Sequence, residues 1–154
     1  MREIRTQIEI DAPPSEVWVV LTDFACHAEW NPFIRSITGG LEQGAQLAVS
    51  IQPPGRKAMT FKPKLLNVVP NEELRWLGRL LLPGIFDGEH IFELRAIDGG
   101  QCTRFVHREE FGGVLVPLLW KGLDTDTRRG FEEMNRALKE RVEGWRSGQA
   151  TITE

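Results

Sequence analysis

From residue 119 to residue 145, apolar side chains return at intervals of three, four or eight positions: Leu119, Leu123, Phe131, Met134, Leu138, Val142 and Trp145. That spacing puts them on one face of an α-helix. Thr127 fills the missing step, while Glu132, Glu133, Arg136, Lys139, Glu140, Arg141 and Glu143 clothe the opposite face. A helix this long with one apolar face must bury that face against another layer of the same domain. What precedes it is not helical.

Residues 3 to 11 alternate, with Ile4, Thr6, Ile8 and Ile10 on one side and Glu3, Arg5, Gln7, Glu9 and Asp11 on the other, which predicts a half-buried strand. Ala12-Pro13-Pro14-Ser15 ends it, and Val17, Trp18, Val20, Leu21 and Phe24 recur at helical spacing. A second short helix over Ala25 to Trp30 stops at Asn31-Pro32. Between Phe33 and Phe111, short strand-like runs are punctuated by Gly39-Gly40, Pro53-Pro54-Gly55, Pro70-Asn71, Pro83-Gly84 and Asp98-Gly99-Gly100, which predicts six consecutive strands in an antiparallel meander. The expected architecture is α+β: a seven-stranded curved antiparallel sheet wrapped around the C-terminal helix, with two short helices between strands 1 and 2. A single domain over residues 1–148 and a disordered tail over 149–154 are expected, since 154 residues suffice for one core burying roughly 70% of the unfolded surface. Pro63 interrupts the alternation of Met59, Phe61 and Leu65, a sign of a bulge or an edge.

The stretch from Glu89 to Phe111 allows a register to be written down. If Asp98-Gly99 is a two-residue turn, Glu93 faces Arg104, Glu89 faces Arg108, Ile91 faces Val106 and His90 faces His107. A four-residue loop would oppose Arg95 to Arg104 and Glu89 to Glu110, and like-charge repulsion argues against it. Phe92, Leu94 and Phe105 mark the inward face, so His90, His107 and Glu109 project toward the helix. They are either partly buried groups satisfied by each other or a polar patch in a ligand pocket. Two imidazoles and a carboxylate are a possible metal ligand set, but Glu109 falls on the diagonal and adjacent histidines are common without metal. No metal and no cofactor are expected. His107 and Glu109 are the candidates for acid-base work, since burial tunes both.

Trp30, Phe61, Trp76, Phe86, Phe92, Phe105, Phe111 and Trp120 lie on elements converging on one interior, and the chain has no tyrosine. Each alone is a core residue; together they form an apolar wall with few hydroxyls, suited to an aromatic or aliphatic ligand. Asp124, beside Leu123 on the stripe, is a candidate for facing the same cavity.

A net charge of -3 offers no basic surface for nucleic acid, and no apolar run approaches the roughly 18 residues of a membrane span. Cys26 and Cys102 have no CxxC spacing, and the N-terminus enters a strand without a signal-peptide core. The expected location is cytoplasmic; a homodimer is left open. No GxGxxG, phosphate loop, HExxH or GxSxG occurs.

Several segments together resemble the START-like, or SRPBCC, superfamily, in particular its polyketide cyclase/dehydrase-like members. They are Ala12-Pro13 with Glu16-Val17-Trp18, Trp30-Asn31-Pro32-Phe33, Phe61-Lys62-Pro63, Leu74-Arg75-Trp76-Leu77-Gly78, and Gly88 to Leu94 leading into His107-Arg108-Glu109-Glu110-Phe111-Gly112-Gly113. The resemblance, covering about Ile4 to Trp145, implies a helix-grip fold holding a small hydrophobic molecule between sheet and helix. It implies no single catalytic motif. The leading expectation is a ligand-binding protein; an aromatase/cyclase- or dehydratase-type enzyme and a protein-interaction module are the alternatives, the last disfavoured because the sequence shows no long exposed apolar patch.

Overall fold

A computed structural model describes residues 1–152, with side chains through 148; the tail expected over 149–154 lies outside the residues described to that level. The chain begins with β1 (Arg2–Ile10), whose Ile4, Thr6 and Ile10 are buried while Arg5 and Gln7 face out. Pro14 opens α1 (Pro14–Thr22), with Val17, Trp18 and Leu21 buried, and a short turn leads into α2 (His27–Trp30). Asn31 then stops the helix and starts the next strand, its side-chain oxygen accepting from the backbone N–H groups of Phe33 and Ile34. His27 is satisfied locally between the Leu21 carbonyl and Asn31.

The remaining strands are β2 (Ile34–Thr38), β3 (Ala48–Ile51), β4 (Met59–Phe61), β5 (Lys64–Val69), β6 (Glu73–Leu80), β7 (Phe86–Ile97) and β8 (Cys102–Gly112). They do not form the single seven-stranded sheet expected from the sequence. A five-stranded sheet, ordered β1-β8-β7-β6-β5, faces a three-stranded sheet, ordered β2-β3-β4. The break falls at Lys62-Pro63 between β4 and β5, because proline has no N–H to continue a ladder. The two sheets are stitched there by the Gln46–Lys64 bridge and by Leu47 N–H donating to the Pro63 carbonyl.

The register of β7 and β8 also differs from the expected one. His90 faces Glu109, Phe92 faces His107, Arg95 faces Arg104 and Glu89 faces Glu110. Four residues, 98 to 101, separate Ile97 from Cys102, and Asp98, Gly99 and Gly100 all have positive φ. The like-charged pairs are tolerated because neighbouring strands neutralise them. Arg104 pairs with Glu9 on β1, Glu89 with Arg75 on β6, and Arg108 reaches Glu93, Glu110 and Glu3. A slip of two residues leaves each side chain on its face, so Phe92, Leu94 and Phe105 are buried as expected.

The C-terminal helix is in two parts: α3 (Val116–Gly122) and α4 (Arg128–Ile152), joined by a wide π turn over Leu123–Thr127. Phe131, Met134, Leu138 and Val142 are fully buried, and Trp145 is half exposed. At Gly130 the backbone of α4 comes up against the buried ring of Phe33, with which a Cβ at that position would collide. Among the described residues no helix is long and apolar enough to cross a membrane.

Candidate functional site

One end of the space between the two sheets and the helix is left unfilled. The cavity there measures about 250 Å³. Val49, Ile51, Met59 and Phe61 come from the small sheet, Trp76, Leu80, Phe86 and Phe111 from the large one, and Leu119 and Leu123 from the helix. Phe33 and Pro63 complete the apolar wall. The polar groups at the lining are His90, Glu109, Arg79 and Thr127. Arg79 is held by Asp87 on β7. The cavity volume is at the small end for ligand pockets, which suits a ligand of one or two rings better than a long acyl chain.

Glu109 and His90 begin a chain of buried polar groups leading away from the cavity. Glu109 Oε2 lies 3.6 Å from His90 Nδ1, His90 Nε2 lies 2.6 Å from His107 Nε2, and His107 Nδ1 lies 2.9 Å from Asn135 Oδ1. Asn135 Nδ2 donates to Thr6 Oγ1, whose hydroxyl donates to the His107 carbonyl. That carbonyl can only accept, so it fixes the direction of every bond before it. Thr6 must accept from the Asn135 amide; the Asn135 oxygen then requires a proton on His107 Nδ1. Neutral His107 accepts at Nε2, and His90 therefore carries its proton on Nε2 and presents the bare lone pair of Nδ1 to Glu109.

The stack around this chain keeps it dry. Phe131 lies on His107 with ring centres 3.9 Å apart, and Phe92 lies under both histidines. Burial lowers His107 to about 3 and His90 well below its ordinary value, with the neighbouring imidazole adding to the effect. Burial likewise pushes the Glu109 carboxyl up to about 8, although 17% of its side chain remains open to the cavity. The carboxyl is consequently neutral near pH 7. Gly88 makes room for it: a Cβ at that position would collide with Glu109 Oε1.

Of the residues singled out from the sequence, Phe61, Trp76, Phe86, His90, Glu109 and Phe111 line the cavity together. Phe92, Phe105 and His107 lie behind it in the packed core. Trp120 packs edge-on against Phe111 with Arg2 over its ring. Asp124 pairs with Arg128 at the surface, and Trp30 borders a separate open groove with Val19, Glu140 and Trp145. Glu109 stands directly opposite His90, not on the diagonal, and among the described residues no group of three His, Cys, Asp or Glu side chains is arranged to hold a metal.

Asn135 and Phe33 escaped the sequence reading. Asn135 had a signal, since it falls four residues after Phe131 and three before Leu138, a polar side chain on an apolar stripe. Beside the cavity, Leu81, Leu82, Val114 and Leu118 are largely exposed, on two segments joined by the bonds from Val114 and Leu115 to the Gly84 and Ile85 carbonyls. This apolar rim is built from two short segments, which is why no long run announced it.

The buried titratable groups predict a stability profile. Glu109 keeps its proton in the folded state where the unfolded chain, near 4.5, has lost it, so its contribution falls as pH rises through 4.5 to about 8 and levels off beyond. His90 and His107, held below 6.5, act in the opposite sense, losing stability as pH drops below 6.5. Between pH 6.5 and 8 the Glu109 contribution falls by roughly 1.5 kcal/mol, offset in part by the histidines, His27 included, which are still half protonated in the unfolded chain at pH 6.5. Urea titrations are therefore expected to show the stability of the native protein relative to Glu109→Gln declining by that amount across this window. A difference that does not change with pH would mean that the folded carboxyl is already ionised.

Over residues 1–143 the sequence matches the family described as polyketide cyclase / dehydrase and lipid transport. No curated protein sequence matches it. Among solved structures, the Zhui aromatase/cyclase from Streptomyces sp. R1128 is similar with a TM-score of 0.74 at 16% identity, over 92% of this chain and 93% of that one. A START superfamily protein from Mycobacterium smegmatis gives 0.73 at 17% identity, over 93% and 98%. A protein from Thermus thermophilus gives 0.72 at 19% identity, also over 93% and 98%. At such identities these likenesses establish the fold.

Proposed function

Because the chain belongs to the polyketide cyclase / dehydrase and lipid transport family, we propose that it binds a small hydrophobic ligand of aromatic or polyketide-like character in the cavity between sheet and helix. The observation carrying this reading is the partly open, almost wholly apolar cavity with a single carboxyl in its lining. Apolar walls supply the affinity, and one polar group sets orientation.

A second reading, an enzyme of the cyclase or dehydratase type, is favoured by the proton-bearing chain behind that carboxyl. Glu109 would exchange a proton with the ligand, being tuned close to neutrality. His107, which touches no part of the cavity, would act through His90 as a positioning residue.

Native mass spectrometry of freshly purified protein, compared with the denatured sample, tests for a co-purifying molecule. Independently, 2-ethylnaphthalene is expected to bind in the micromolar range and to lose at least tenfold in affinity in Leu123→Trp, whose larger ring would occupy the cavity. Trp145→Phe, in the separate surface groove, is expected to leave it unchanged. Equal binding by Leu123→Trp and the native protein in calorimetry would place the ligand elsewhere.

A further inference from the structure

The direction of the buried hydrogen bonds reaches into the cavity and constrains what the ligand must carry. Thr6, Asn135, His107 and His90 each use their hydrogen-bonding capacity in one sense, set at the far end by a backbone carbonyl. At the near end, His90 Nδ1 is an acceptor, buried with 1% of its side chain exposed, and the group facing it is Glu109 Oε2 at 3.6 Å. That separation exceeds a hydrogen bond, so the contact requires the carboxyl to turn toward Nδ1. A proton on Oε2 then satisfies Nδ1. Were the proton given to the ligand instead, Nδ1 would remain a buried acceptor without a donor, a costly state.

The other carboxyl oxygen, Oε1, occupies the space that a side chain on Gly88 would take, and both residues line the cavity. With the proton on Oε2, Oε1 is a carbonyl oxygen and accepts only. The remaining groups do not alter this. Arg79, the other charged side chain among the described lining residues, is held by Asp87, Ile4 is the β1 residue facing Glu109, and the helix contributes Leu119, Leu123 and Thr127.

We infer that Glu109, with its proton directed at His90, selects ligands bearing a hydrogen-bond-donating hydroxyl, a phenol, enol or alcohol on an apolar ring system, over ligands bearing only a carbonyl. This specificity rests on the cavity being the binding site, as proposed above.

Three probes of one shape separate the possibilities: 2-naphthylmethanol donates, 2-naphthaldehyde only accepts, and 2-ethylnaphthalene does neither. Calorimetric titration of the native protein and of Glu109→Leu is expected to show the alcohol losing about tenfold in affinity relative to 2-ethylnaphthalene on substitution, with the aldehyde unchanged. Glu109→Gln is expected to retain the alcohol's advantage, because its amide N–H can serve His90 Nδ1 while its oxygen accepts from the ligand. A Glu109-dependent gain for the aldehyde, or no change for the alcohol, overturns the inference. Loss of the alcohol's advantage in Glu109→Gln overturns it too, by showing that an ionised carboxylate is the acceptor. If 2-ethylnaphthalene itself fails to bind the native protein, the cavity reading falls first, and the outcome is distinguishable from the others.

Discussion

Phe131→Ala is expected to destabilise the protein by about 3–5 kcal/mol, a large part of the roughly 5–15 kcal/mol that holds a typical domain folded. Its ring is fully buried and touches three aromatic neighbours: His107 at 3.9 Å, His90 at 5.1 Å and Phe33 at 5.5 Å between centres. Truncation removes the apolar area and leaves a void that cannot collapse, because the histidines are tied to each other and to Asn135. Thermal unfolding should fall by roughly 10 °C. Trp145→Ala, half exposed on the same stripe, serves as comparison and should lose far less. A loss under about 1 kcal/mol for Phe131→Ala would show that the stack does not clamp the helix to the sheet.

Asn135→Leu should cost about 2–4 kcal/mol even though it adds apolar surface to the core. It strands two buried partners at once, the His107 Nδ1–H and the hydroxyl oxygen of Thr6, and each unsatisfied group costs about 1–3 kcal/mol. Thr6→Val, which takes the acceptor from the Asn135 amide and the donor from the His107 carbonyl, should cost a comparable amount. The decisive readout is the tautomer, because poor packing alone would not move it. Nitrogen NMR of the native protein should find the proton of His107 on Nδ1 and that of His90 on Nε2, and in Asn135→Leu the His107 preference should be lost. Finding the opposite tautomers in the native protein would reverse the direction of the whole chain, including its end at Glu109.

The faces of the strands and the identity of the helix were legible in the sequence because both depend on periodicity, which a single chain carries in full. The register of β7 against β8 was not. Comparing Glu89, Arg95, Arg104 and Glu110 across two strands ignored that the hairpin sits inside a five-stranded sheet, where Glu9 and Arg75 on the flanking strands absorb the repulsion. The expected pairing of His90 with His107 nonetheless survives as a side-chain contact. The backbone positions are diagonal, and the rings lean across the step to meet. The division into two sheets had its cause in view at Pro63, but whether a proline makes a bulge or ends a sheet depends on what lies on either side. The cavity was legible only as a collection of aromatics. Which ones fill space and which border it, Phe105 against Phe111 for example, is decided by how far the helix stands off, and no spacing in the sequence encodes that distance.

The wide turn over Leu123–Thr127 governs that stand-off. Leu119, Leu123, Thr127 and Phe131 follow one another in steps of four, and on a regular helix each such step drifts by about 40° around the axis. Three steps would carry Leu119 well away from Phe131; the locally unwound turn takes up the drift and keeps all four toward the interior. Upstream of the turn the side chains border the cavity, downstream they fill the core. The helix therefore works as two segments with separately set phases. Removing a single residue from the turn would swing Leu119 around by about 100° and leave Phe131 to Val142 in place. In a lineage of such proteins, the chamber could be reshaped by gain or loss of one residue while the scaffold that folds the chain stays untouched, and ligand preference would be free to change faster than stability.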